Sequence, residues 1–400
     1  MTTNTMTTHT QADILVERRG NAGLLTLNRP KALNALSLQM VRDITAALTA
    51  WRDDPAVELV AIRGTNKVGK PGTPEALFGG FCAGGDIRFF HTAALAGDTA
   101  LDDFFTEEYA LNHLIHNYPK PYVAFMDGVV MGGGMGLCQG EALGAPQGKY
   151  EGAGRASPSA RGQGSKTRIV TEHTKMAMPE TNIGLFPDVG GGYFLSRCPG
   201  HVGEYLALTG EVIGADEAMG YGLADVKVDA ASLPALWDAL GATAFNDWSA
   251  IHLGASRTHK QDLTARKQTQ IDAHFGLLRV KHIIDSLEKA KDDIWAKKTA
   301  AVLRKRSPLM LHVTLEQIRR ARSMSLADDL RMERDMVHNC FYLRPGTASE
   351  TVEGIRALAV EKDYSPKWSP EKIEDVKPGM ADAFFASPWA ADAHPLRSLT

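Results

Sequence analysis

PYVAFMDGVVMGGGMGL, residues 121–137, decides the fold. Its first half is a compact run of branched and aromatic residues, the pattern of a buried strand. A glycine cluster, Met131 to Gly136, follows at once, where a chain leaving a strand can turn tightly into a helix. Strand, glycine turn and helix in such close order make one unit of an α/β architecture.

The same grammar extends outward. LVAIRG (59–64) and RIVTE (168–172) read as further buried strands, and ILVERRG (14–20) with GLLTLNRP (23–30) as a hairpin joined near Gly20. In LSLQMVRDITAALTAW (36–51), residues Met40, Val41, Ile44, Ala47, Leu48 and Trp51 fall on one helical face, with Ser37 placed to cap it. Residues 11–235 are therefore expected to form an α/β core with a parallel sheet. Beyond it strand signals fade. PLMLHVTLEQIRRARSM (308–324) and LADDLRMERDMVHNCFY (326–342) read as amphipathic helices, so 236–400 is expected to be a helical region. Its basic clusters (Arg304, Lys305, Arg306 and Arg319, Arg320, Arg322) are expected as solvated faces.

Two segments break the pattern. Residues 141–165 are dominated by Gly, Ala, Ser and Pro, a composition too poor in apolar surface to order itself. Residues 66–79 are a milder case. Both are expected to be surface insertions.

Composition narrows function by exclusion. A formal net charge of -3 argues against a dedicated nucleic-acid binder or a binder of anionic membranes. No apolar run reaches the ~20 residues of a membrane span, and the first residues lack the apolar segment of a secretory signal. The four cysteines, Cys82, Cys138, Cys198 and Cys340, lie too far apart for a CxxC pair or zinc-type spacing, so no metal site is expected. Free thiols suit a reducing compartment, and the cytoplasm is the default.

Candidate chemistry lies in four places. In MPETNIGLFPDVGGGYF (178–194), Glu180 and Asp188 stand eight residues apart among apolar residues. An acid in an apolar pocket acquires a raised pKa and can act as general base or acid near neutrality. Asp188 has an alternative reading, as the cap of a helix entering Gly190. In LDDFFTEEYALNHLIHN (101–117), Glu108 sits in the middle of the apolar stripe Phe104, Leu111, Ile115. It is either a buried ion-pair partner or a residue aimed into a pocket. The glycine turns 79–86 and 131–136 complete the set. Each supports either close packing or a pair of amides that stabilise a developing oxyanion.

Taken together, LNRPKALNALS (27–37), GFCAGGDI (80–87), GVVMGGGMGL (128–137) and MPETNIGLFPDVGGGYFL (178–195) resemble the crotonase (enoyl-CoA hydratase/isomerase) superfamily. The resemblance implies a spiral of ββα units, acyl-CoA thioester substrates and an oxyanion hole made by the backbone N–H groups of Cys82 and Gly133. It implies that CoA lies along Lys31, Ala32 and Leu33 and beside Ala83, Gly84, Gly85 and Asp86. Hydratases of the superfamily carry a glutamate two residues after the triple glycine; here that position is Gly136, while the second glutamate is retained as Glu180.

With TASETVEGIRALAVEKDYSPKW (347–368) added, the chain is most similar to the 3-hydroxyisobutyryl-CoA hydrolase branch, which acts in valine breakdown. That branch implies that Glu108, Gly133, Glu180 and Asp188 contact the substrate. Glu180 would act as nucleophile or general base, Asp188 would orient the hydroxyl or the water, and Glu108 would bind the hydroxyl side of the acyl group. The C-terminal region would complete the acyl-CoA site. CoA is then part of the substrate, with no metal or other cofactor, and a homo-oligomer is possible. Two competing readings stand beside this one: an enoyl-CoA hydratase or isomerase, and a non-catalytic binding protein on the same fold.

Overall fold

The computed structural model describes residues 12–69, 76–139, 166–244 and 261–400. The 141–165 insertion and residues 70–75 of the 66–79 segment lie outside the described residues.

The strands β1 (Ile14–Arg19) and β2 (Ala22–Leu27) form an antiparallel hairpin. From β2 onward every pairing in the main sheet is parallel: β3 (Leu59–Gly64), β4 (Tyr122–Met126), β6 (Lys166–Val170) and β8 (Val226–Lys227) add in the order β1-β2-β3-β4-β6-β8. Beside it runs a shorter ladder. Leu36 bridges Gly85, Cys82 bridges Val130, β5 (Val129–Met131) pairs with β7 (Lys175–Ala177), and Met176 bridges Ile213.

Each pass of the chain thus lays one strand in the main sheet and one short piece in the second ladder, then enters a helix. The helices after these pieces are α1 (Leu38–Asp53), α2 (Ile87–Ala96) with α3 (Ala100–His116), and the single turn α4 (Gly133–Gly136). The repeated advance is a spiral of ββα units, as the resemblance implied.

Alternation along the strands divides the interior. On β3, Val60 and Ile62 face a large core, while Leu59 and Ala61 face a smaller one containing Phe125 and Trp237. Helix α1 buries the six residues its periodicity predicted, and Ser37 Oγ accepts from the Met40 amide at 3.3 Å. The 66–79 segment departs from its expected surface position on its downstream side. Ala76 and Phe78 are buried, and the Phe78 ring packs against Phe125 and Trp237, because an aromatic side chain beside an apolar sheet face gains by leaving water.

The chain continues through α5 (Gly191–Ser196), α6 (Val202–Thr209), α7 (Ala215–Gly220) and α8 (Leu233–Asp238). The helical region then comprises α9 (Gln261–Phe275), α10 (Val280–Lys289), α11 (Ile294–Leu303), α12 (Pro308–Ala321), α13 (Leu326–Tyr342) and α14 (Glu350–Ile355). Its apolar faces join the large core. The basic clusters only partly face solvent. Arg304 pairs with Glu288 and Glu374 at the surface. Arg306 turns inward to the Thr209 carbonyl, and Arg322 reaches the buried Glu204 carboxylate at 2.6 Å. A long guanidinium stem lets the charge find a buried acceptor while its methylenes cover apolar surface.

Candidate functional site

The β5–α4 turn is where the acids meet the backbone. Glu108 projects from the buried face of α3 beside Phe104, Leu111 and Ile115, and is 2% exposed. Its Oε1 stands 2.5 Å from where a Cβ on Gly133 would lie. Glu180 begins the 3-10 turn Glu180–Ile183 after Pro179, and its Oε1 stands 2.7 Å from the corresponding point on Gly132. Any side chain at either glycine would collide with a carboxylate. Gly132 also has φ of 49°, which glycine adopts without strain. Glu108 Oε1 and Glu180 Oε2 are buried and meet no hydrogen-bond partner among the described residues.

The amides facing these acids differ from the expected pair. The Cys82 N–H donates to the Val129 carbonyl at 2.9 Å, so it is consumed by the ladder and cannot serve an oxyanion. Its thiol donates to the Asn34 carbonyl, and burial pushes its pKa up to about 12, which removes it as a nucleophile too. The next amide, Ala83, donates to the Leu33 carbonyl. Past it, the chain turns at Gly84, with φ of 102°, and among the described residues the amides of Gly84 and Gly85 meet no acceptor. The Gly85 nitrogen lies 3.4 Å from the Cβ position of Gly133, whose own N–H is the unpaired first donor of α4.

The expected CoA-side residues converge. The surface turn Pro30–Ala32 and the half-exposed Leu33 are tied to the 83–86 turn by the Ala83–Leu33 bond. Asn34 locks both loops, donating to the carbonyls of Thr65, Gly80 and Phe81. Asp86 has a structural task here as well: it pairs with Arg29 at 2.9 Å and accepts from the Phe89 amide at the start of α2.

Asp188 is not the helix cap. Its Oδ2 accepts from the Tyr109 hydroxyl at 2.8 Å. The amides at the start of α5 are held from α13 instead. Glu333 accepts from Gly190 at 2.7 Å and Gly192 at 2.9 Å, and Asp329 accepts from Tyr193 at 2.8 Å. Between Asp188 and this clamp, Val189 has φ of 58°, a left-handed conformation costly for a β-branched residue. Helix α14 packs against the Glu180 turn, with the Thr351 hydroxyl donating to the Gly184 carbonyl at 2.7 Å.

Burial and mutual repulsion shape the acids. Burial first, then the charges of Asp188 and Glu180, push the Glu108 carboxyl well above its usual range. Burial, then Asp188, do the same to Glu180. Burial raises Asp188 to about 6, and the Tyr109 bond opposes part of that rise. Three buried carboxyls that raise one another's affinity for protons are an arrangement suited to a base, an acid and a hydroxyl ligand.

Comparison with known proteins identifies the family. The family model for enoyl-CoA hydratase/isomerase matches residues 22–143 and 161–385. The chain belongs to the enoyl-CoA hydratase/isomerase family. A relative from Gallus gallus named 3-hydroxyisobutyryl-CoA hydrolase, mitochondrial, is 37% identical over 94% of this chain and 90% of its own length. A relative of the same name from Xenopus tropicalis is 38% identical over 96% and 91%. Among solved structures, one described as a carnitinyl-CoA dehydratase from Mycobacterium thermoresistibile superposes with a TM-score of 0.79 at 34% identity, covering 97% of this chain and 99% of that one. Another, described as an enoyl-CoA hydratase from Rhodobacter sphaeroides, gives 0.77 at 35% identity, covering 94% and 98%.

Position 136, where the resemblance places a glutamate in the hydratases of the enoyl-CoA hydratase/isomerase family, is sealed here. A Cβ on Gly136 would lie 2.7 Å from Asn112 Nδ2 and 2.8 Å from Val189 Cβ. Asn112 arrives from α3 one turn beyond Glu108, so the space of a second glutamate is filled by a neutral amide. Residues that the sequence reading missed are therefore Tyr109, Asn112, Asp329 and Glu333, and it named Gly85 for the CoA side without its open amide. Asn112 lies at i+4 from Glu108, and Glu333 at i+4 from Asp329 on the buried side of α13, so helical periodicity marks both. No local pattern marks Tyr109 or the Gly85 amide, because their partners lie on distant turns of the spiral.

Proposed function

We propose that this chain hydrolyses the thioester of 3-hydroxyisobutyryl-CoA, or of a closely related short 3-hydroxyacyl-CoA, to the free acid and CoA. The observation that carries this reading is the seal at Gly136. Of the two positions that paired-glutamate water addition would use, only Glu180 carries an acid, against the β5–α4 turn, and a neutral asparagine occupies the place of the other. The names of the curated relatives support hydrolysis. The solved structures described as dehydratase and hydratase carry the competing name, and the missing second acid weighs against it here.

In this reading the amides of Gly133 and Gly85 receive the thioester oxygen and stabilise the charge that develops on attack. Glu180 either attacks the carbonyl carbon or takes the proton of a water that attacks directly. In the first case the C–S bond breaks, the thiolate of CoA leaves, and water then hydrolyses the mixed anhydride to free acid and Glu180. In the second the adduct collapses with loss of the thiolate, which is then protonated. Asp188, held by Tyr109, orients the water or the substrate hydroxyl, and Glu108 faces the acyl group. Lys31, Ala32 and Leu33, with the 83–86 turn, border the CoA portion. The proposed chemistry needs no metal or redox cofactor.

Among the described residues no helix is long and apolar enough to cross a membrane. The four cysteines are free and buried, which supports a reducing compartment. We take the cytoplasm as the working assignment, although the vertebrate relatives have mitochondrial in their names; cell fractionation decides between them. The function is tested by thiol release from 3-hydroxyisobutyryl-CoA beside hydration of crotonyl-CoA followed by loss of enoyl absorbance. Release without hydration is the expected result; hydration without release overturns the reading.

A further inference from the structure

Helices α3 and α4 mesh through two glycines. Gly133 leaves room for the Glu108 carboxylate and Gly136 leaves room for the Asn112 carboxamide, so the step from 108 to 112 on one helix is matched by the step from 133 to 136 on the other. Asn112 is 3% exposed, and both its Oδ1 and its Nδ2 are buried without a hydrogen-bond partner among the described residues. A carboxamide in that position forfeits several hydrogen bonds that water would supply, a cost that proteins rarely leave uncompensated. Asn112 Nδ2 and Val189 Cβ both border the Cβ position of Gly136, and Val189 directly follows Asp188. An acyl group bound at the Gly133 turn lies within one helical turn and can supply that partner.

The chemistry of that partner follows from what each group supplies. The thioester oxygen only accepts, and unpaired amides at Gly133 and Gly85 already face its place. A CoA phosphate calls for cations or several N–H donors, and a single buried neutral amide is a poor match for it. A carboxamide both donates and accepts, and so does a hydroxyl. Three residues of helix rise about 4.5 Å, so Asn112 lies beyond the Gly133 amide by a distance comparable with the reach from a thioester carbonyl to a hydroxyl on its third carbon. We propose that Asn112 is a specificity-determining residue that binds the 3-hydroxyl of the acyl group, beside Glu108. This inference rests on the reading of the chain as a 3-hydroxyacyl-CoA hydrolase and names how that site selects its substrate class.

The test compares kcat/KM for 3-hydroxyisobutyryl-CoA and for isobutyryl-CoA, which lacks the hydroxyl, in the wild type and in Asn112→Ala and Asn112→Ser. Loss of a buried hydrogen-bond partner predicts that the preference for the hydroxylated ester falls about tenfold or more in Asn112→Ala. Asn112→Ser, which keeps a smaller donor and acceptor, should fall in between and is the variant relied on if the alanine protein does not fold. An equal loss on both esters in the folded variants, or no change in the ratio, overturns the inference while leaving wild-type hydrolysis intact. Failure of the wild type to release thiol from 3-hydroxyisobutyryl-CoA instead overturns the functional reading, and this inference with it.

Discussion

The Tyr109 hydroxyl donates to Asp188 Oδ2 at 2.8 Å, linking the buried face of α3 to the turn after Pro187. The two residues are 79 positions apart, and their bond holds the Asp188 carboxylate against the burial that raises it to about 6. Tyr109→Phe removes that support. The Asp188 pKa should rise further, so the acid limb of the kcat/KM profile should move to higher pH. Activity near pH 6 should fall several-fold more than activity near pH 8. A profile that keeps its acid limb in place would show that Asp188 ionisation does not govern the reaction.

Glu180 has the most exacting assignment. Glu180→Gln keeps its size and removes both its nucleophilicity and its basicity, and should lower kcat by about 10³-fold or more. Binding of a non-hydrolysable thioether analogue, measured by calorimetry, should change by less than about tenfold, because the amides and the CoA-side loops are untouched. Near-normal turnover would remove Glu180 from the mechanism.

Glu333 holds the turn that carries Asp188, accepting from the amides of Gly190 and Gly192 and from the Gln317 side chain. Glu333→Ala leaves these buried donors unpaired and frees the left-handed Val189 from its clamp. The expected loss is about 2–5 kcal/mol in urea unfolding, with a fall in kcat at temperatures where the variant stays folded. A loss under about 1 kcal/mol would mean that the clamp contributes little.

The same clamp makes stability depend on pH. Burial raises Asp329 from 3.8 to about 7, so in the folded protein it keeps a proton that the unfolded chain releases. Its contribution is fully present below the unfolded value and is lost as pH rises from about 4 through about 7. Asp329→Asn can still accept from the Tyr193 amide but does not titrate, so its stability should fall less steeply over that range. Urea midpoints at four pH values check this; parallel curves for the two proteins would refute it.

Gly136 offers a test by gain rather than loss. Gly136→Glu installs the acid that paired-glutamate hydration would use, yet the new side chain meets Asn112 and the Val189 Cβ at once. It should cost about 1–3 kcal/mol through overpacking and produce no crotonyl-CoA hydration. Appearance of hydratase activity would show that the site yields more readily than its packing indicates.

Some of this was legible locally. The hairpin, the six-residue face of α1 and the burial of Glu108 follow from periodicity, because a helix or strand repeats its contacts at a fixed interval whatever it packs against. The acids of 178–194 stood out because charge among apolar residues needs a reason. The quoted motifs carried the family resemblance before any geometry was known.

Other features had no local signal. Whether an amide is paired in the ladder depends on which strand lies beside it, and this occupies the Cys82 amide while the Gly85 amide meets no acceptor among the described residues. Whether Asp188 caps a helix depended on α13, which supplies Glu333 and Asp329 from more than 130 residues downstream. The burial of Phe78 and the inward turn of Arg306 and Arg322 likewise followed from neighbours that only the folded chain assembles. The sequence by itself determined the elements, the family and the acids, since these rest on short-range periodicity and motif. Tertiary structure alone decided which amides stay free, which acid is held by a phenol and which glycine admits a carboxamide, because each is a contact between distant turns of the spiral.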